Sequence, residues 1–178
     1  MSDSNFSKLA DLEFLPYLDS QGEVTHQFDQ KVGVYAIFDQ QQVLQYVGLS
    51  RDISLSLRQH LVRQPEGCYW LKVAVSDRPN RTLLETIRAA WIEENGTTPI
   101  GNGVDEALWN QPIDAKAKMT PEEQTAYAAT DEMGQIKLLK QVARRVEAEV
   151  FAALQARGVT TAIRFDPKLK EEGLLNLK

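Results

Sequence analysis

The chain has 178 residues, 43% of them apolar and 25% charged, with a formal net charge of −5, which suits one ordinary domain with an appendage or two small ones. No apolar run reaches membrane-spanning length and no charged-then-apolar leader opens the start MSDSNFSKLADLEF, so the expectation is a soluble, cytoplasmic chain with no membrane partner. A single cysteine, Cys68, excludes an internal disulfide and a multi-cysteine zinc site.

Charge is distributed unevenly. Residues 1–30 carry one Lys and six Asp/Glu, residues 31–102 eight Lys/Arg and seven Asp/Glu, and residues 103–178 eleven and twelve. Only the middle third is not acidic, so a phosphate-facing surface belongs there.

In chain order, Leu9, Leu12 and Leu15 recur at helical spacing within residues 5–18 and predict a short helix ended by Pro16, inside an acidic N-terminal arm spanning 1–30. Val32–Phe38 and Val43–Val47 are rich in β-branched and aromatic residues, and polar Asp39–Gln42 joins them as a hairpin. Ser50 and Asp52 offer caps to a helix carrying Ile53, Leu57 and Leu61 to about Arg63, which Pro65–Gly67 stops. Tyr69–Val75 reads as a third strand and Asp77–Asn80 as a turn. Leu83, Leu84, Ile87, Trp91 and Ile92 then form the buried stripe of a second helix ending near Gly96.

The fold expected for 31–103 is therefore α/β of the α+β kind: a small three-stranded antiparallel sheet with flanking helices in the order ββαβα. An irregular linker at 104–118 leads to a helical extension at 119–178. There Thr120-Pro121-Glu122-Glu123 starts one helix. A long amphipathic helix spans about 131–157, with Ile136, Leu139, Val142, Val146, Val150 and Leu154 on one face, closed by Gly158. An edge strand at 160–165 and an extended surface tail after Pro167 complete the expectation. Trp70 and Trp91 sit at core-like positions, and Trp109, in a polar segment, suits an interdomain or partner contact. The apolar stripe of the long helix could meet its own sheet or a protein partner.

The segment GVYAIFDQQQVLQYVG, residues 33–48, carries Gly/Tyr pairs in mirror order at its ends. GVY followed by YVG, with Tyr46 eleven positions after Tyr35, on two strands leading into a helix, resembles the GIY-YIG nuclease superfamily. YVGLSRDISLSLRQHL with the later WIEE and P-x-G-N is similar to a divergent branch found in cyanobacteria and at the N-terminus of some chloroplast monothiol glutaredoxins.

That resemblance implies a single Mg²⁺ held by a glutamate on the second helix, tyrosines that activate the attacking water, and an arginine on the first helix that steadies the scissile phosphate. Such an attack needs an oriented oxygen nucleophile, a Lewis acid and a cation at the developing charge. Carried onto this chain, the catalytic candidates are Tyr35, Tyr46, Arg58, His60 and Asn102. Arg51 and Arg88 are the phosphate-binding candidates, and Glu85 is the metal ligand. The first-helix arginine of the family falls on Ser56, and the second-helix glutamate falls near Arg88, with Glu85 one turn earlier. Ser56 and His60 share a helix face, while Arg58 lies about 200° around it from Ser56. The expected function is a nuclease-like domain with a degenerate site, acting as a binding or interaction module, with nucleic acid bound through residues 31–102. The alternative is a divalent-metal-dependent endonuclease that hydrolyses DNA phosphodiester bonds.

Overall fold

A computed structural model describes residues 6–78 and 80–178. Asn5, the first residue of the expected N-terminal helix, and Pro79, within the expected turn, lie outside the described residues. By contacts the chain divides into two units, Met1–Asn110 and Gln111–Lys178.

The first unit is built on β2, Val32–Phe38, whose residues after Val32 are all buried. Such a strand is apolar on both faces because helices cover both. It pairs antiparallel with β3, Leu44–Ser50, on one side and with β4, Trp70–Ser76, on the other. A two-residue edge strand, β1, Leu15–Pro16, completes the sheet order β1-β4-β2-β3. Alternation of side chains sends Val34, Ala36, Phe38 and Val47 to one face, where they pack with Leu84, Ile87 and Trp91 of α2, Arg81–Asn95. Tyr35 and Ile37 take the opposite face, toward α1, Ile53–Arg63. Asp52 caps α1 by accepting from the Leu55 amide, and Asn80 caps α2 by accepting from the Leu83 amide.

The sheet thus has four strands where three were expected, and the predicted helix at 5–18 does not form. A single 3-10 turn at Leu9–Asp11 stands in its place, followed by β1. The backbone there is satisfied from afar. Glu94 accepts from the Leu9 and Ala10 amides at 2.9 and 2.7 Å, the buried Lys72 ammonium donates to the Leu9 carbonyl at 3.0 Å, and the Trp91 indole donates to the Ser7 carbonyl at 3.1 Å. Pro16 also disfavours helical geometry at the residue before it.

Part of the segment expected to be an irregular linker is helical. Turn Ile100–Asn102 and α3, Glu106–Asn110, close the first unit, and Trp109 is 2% exposed. Trp109 is therefore a core residue of its own unit, not an open contact. The flanking turns wrap its ring: a Cβ added at Gly67 or Gly101 would come within 3.0 or 2.9 Å of it.

The second unit holds α4, Pro121–Ala129, with a Thr120/Glu123 capping box, and α5, Glu132–Ala156, capped by Asp131. The strand expected at 160–165 is reduced to one bridge, Phe165 to Leu177. Strand β6, Leu174–Leu175, pairs instead with β5, Ile113–Asp114. The tail is not extended, because Leu169–Glu172 turns and Gly173 at φ 74° redirects the chain. Burial of Leu175 (1% exposed) and ion pairs Lys170–Glu147 at 2.5 Å and Lys140–Glu171 at 3.1 Å fix this segment against α5. No helix among the described residues is long and apolar enough to cross a membrane.

Candidate functional site

Tyr35 on β2 lies directly across from Gly48 on β3. A glycine is required at position 48, because a Cβ there would meet the Tyr35 phenol and, at 2.6 Å, the Tyr46 ring. With that space left open, the two tyrosine rings lie 6.1 Å apart and share one buried pocket with His60 of α1, whose ring centre is 4.6 Å from that of Tyr46.

Trp109 closes this pocket. Its indole stacks on Tyr46 at 5.4 Å with 6° between planes, and its carbonyl oxygen receives both His60 Nδ1 and Arg63 Nη1 at 3.0 Å. Since a carbonyl only accepts, Nδ1 carries the imidazole proton, and Nε2 accepts from the Tyr35 hydroxyl at 2.8 Å. The Tyr46 hydroxyl donates to Asn110 Oδ1 at 2.7 Å. Nearby, Ser56 donates to the Ser50 hydroxyl at 2.8 Å, and Ser50 donates to the Asp52 carbonyl, which ties the start of α1 to the end of β3.

Burial sets the protonation of the cluster. It pushes His60 down to about 3, and the neighbouring Arg63 charge adds to this, so the imidazole is neutral at pH 7. Burial, then the proximity of Tyr46, holds Tyr35 well above the ordinary phenol range. Tyr46 is also raised by burial, against the opposing pull of Arg88. Both phenols are therefore neutral at pH 7, and neither is poised as a base.

The structure brings Tyr35, Tyr46 and His60 together and sets Arg88 near enough for its charge to act on Tyr46. It does not bring Arg58 to the tyrosines. The Arg58 charge acts on Asp29 instead, as its position around α1 from Ser56 and His60 dictates. Glu85 pairs with Arg81 one turn back at 2.8 Å, which lowers its pKa. Arg51 is exposed and lines, with Arg81, Ser50 and Leu84, a recess of about 80 Å³. Asn102 serves the sheet: its Oδ1 accepts from the Val47 amide and its Nδ2 donates to the Val47 carbonyl, both at 2.8 Å.

Sequence reasoning missed Arg63 and Asn110 as members of the cluster. Arg63 was accessible to it, standing three residues after His60 on the same helix face. Asn110 was not, because its approach to Tyr46 depends on the path of α3.

No protein-family model matches the chain. A curated relative, the chloroplastic bifunctional monothiol glutaredoxin-S16 of Arabidopsis thaliana, is 34% identical over 103 residues, which cover 56% of this chain and 33% of that protein. The chain thus spans about a third of the relative's length.

Proposed function

We propose that residues 31–102 form a GIY-YIG nuclease-like domain whose reaction site is closed, and that it acts as a binding module for nucleic-acid phosphates through Arg51 and Arg88. The observation that carries this reading is the engagement of both tyrosines inside the unit. Tyr35 is 2% and Tyr46 6% exposed, and each hydroxyl is committed to an internal partner.

A Mg²⁺ site needs oxygen ligands that converge on one point. Among the described residues no group of three or more His, Cys, Asp or Glu could hold a metal. Glu85 is engaged with Arg81, and at Tyr46 the charge of Arg88 outweighs that of Glu106. Glu85, the one carboxylate that the resemblance assigns to Mg²⁺, is thus held in an ion pair.

The relative's name assigns monothiol glutaredoxin chemistry to that protein. Thiol exchange needs an accessible thiolate, whereas Cys68 here is 0% exposed. The likeness therefore does not carry thiol chemistry over to this chain.

Plasmid incubated with Mg²⁺ or Mn²⁺ tests the reading. The expected result is no nicking, together with a salt-sensitive, metal-independent affinity for single-stranded DNA. Arg88→Glu weakens that affinity and reduces the salt slope by about 1. Metal-dependent nicking that Tyr35→Phe and Glu85→Ala each abolish in folded protein would establish the endonuclease instead.

A further inference from the structure

The two outer strands of the four-stranded sheet are finished differently. On β3, Asn102 engages the peptide group of Val47. On the far side of β4, the Tyr69 carbonyl accepts from the Tyr17 amide at 3.0 Å, and β1 pairs with Trp70 and Leu71. Peptide groups alternate between the two sides of a strand, so those of Leu71, Val73 and Val75 point the same way as that of Tyr69, and that of Ala74 points to β2. The pairing with β1 ends at Leu71, because β1 is two residues long and the Phe14, Leu12 and Phe6 side chains before it pack on the α2 face. Among the described residues, none bonds to the outward N–H or C=O of Val73 or Val75. Edge strands are commonly blunted by charge, proline or a bulge, and Val73-Ala74-Val75-Ser76 has no charged residue and no proline.

Beside this edge lies a recess of about 520 Å³, lined by Phe6, Leu12, Leu83 and Ile87 together with Ala74. Cross-strand partners share a face, so Ala74, opposite Val34, turns its small side chain to the α2 side. Val73 and Val75 turn theirs to the other side, where Val75 is 49% exposed. Asp77 is the one charged residue in the lining; it is exposed and forms no ion pair with another described residue.

We propose that the Val73–Ser76 edge of β4 docks an extended segment of a protein partner, which adds as an antiparallel strand in line with β1. The segment exchanges both main-chain bonds at each of Val73 and Val75. Its residue opposite Ala74 is bulky and apolar and enters the recess, and the residue before that one covers Val75. A Lys or Arg three positions before the bulky residue meets Asp77. Charge and shape select this occupant over a second copy of the chain. Paired about Ala74, a second β4 would bring only another Ala74 to the recess and would set Leu71 opposite Asp77.

The peptide acetyl-Lys-Thr-Val-Leu-Val-Ser-amide, titrated into the full chain with amide exchange followed by NMR, tests this. Saturating peptide is expected to slow exchange at Val73 and Val75 at least about tenfold and to leave Ala74, already bonded to β2, unchanged. N-methylation of both peptide valines removes the two donors to the edge and should weaken binding at least about tenfold. Asp77→Lys should weaken it about threefold. Val75→Pro removes only an outward N–H, which an edge strand tolerates, and should abolish the protection of Val73.

No binding at millimolar peptide, slowing that is as large at Ala74, or an affinity indifferent to N-methylation or to Asp77→Lys overturns the proposal. A dimer of the peptide-free chain that Val75→Pro disperses would make a second copy the occupant and overturns it as well. If Val75→Pro fails to fold, the N-methylated peptide against wild type decides. None of these residues is among those proposed to hold phosphate, so the outcome is separable from DNA binding through Arg51 and Arg88.

Discussion

A Cβ at Gly48 would lie 2.5 Å from the phenolic oxygen of Tyr35, its cross-strand partner. The Gly of the second Gly/Tyr pair is thus fixed by the Tyr of the first, which explains their mirror order without appeal to a reaction. Gly48→Ala should force the sheet or both rings to shift, at a cost of about 1–3 kcal/mol. Chemical denaturation measures the loss, and a variant as stable as wild type would show that the rings are free to move aside.

His60 yields a pH dependence. Its folded pKa of about 3 lies below the ordinary imidazole value of 6.5, so the unfolded chain binds the proton first. Its contribution is complete above about pH 6.5 and is lost as pH falls from there toward 3. Between pH 7 and 5.5 wild type should lose about 1 kcal/mol more than His60→Asn. Urea unfolding at the two pH values provides the comparison. His26 is exposed and its pKa is raised by Asp29, so its own contribution runs the other way, but it is common to both proteins and cancels. Parallel pH dependence in the two proteins would contradict the buried, neutral imidazole.

Lys72 should anchor the N-terminal segment. Its ammonium donates to the Leu9 carbonyl and lies 4.3 Å from the centre of the Phe14 ring. Lys72→Met keeps the apolar stem but leaves that carbonyl with the Leu12 amide as its remaining donor, a loss of about 1 kcal/mol. Trypsin cleavage after the exposed Lys8 should quicken in the variant, while α2 stays protected. An unchanged cleavage rate would mean that Glu94 and Trp91 hold the segment by themselves.

Local chemistry made much of this fold readable in advance. The β-branched run of β2, the Asp52 cap and the Thr120 capping box each act within a few residues, and helices and strands formed where they pointed. The N-terminal segment was misread because its leucine spacing is local while its bonds reach Glu94 and Lys72, more than sixty residues away. At the candidate site, the Tyr35, Tyr46 and His60 grouping was legible from the paired motif and helix spacing. The closure by Trp109 was not, because a polar, irregular stretch carries no periodic signal and its indole finds its partner only when α3 folds over β3.

Asn102 bonds to both the amide and the carbonyl of Val47 on β3, an outer strand of the sheet. A primary amide offers the same donor and acceptor as a peptide group, so this one side chain imitates a neighbouring strand for the length of one residue. It blunts a margin on which another chain could otherwise add itself. This margin of the sheet is in this way closed by a side chain from a turn more than fifty residues further along the chain.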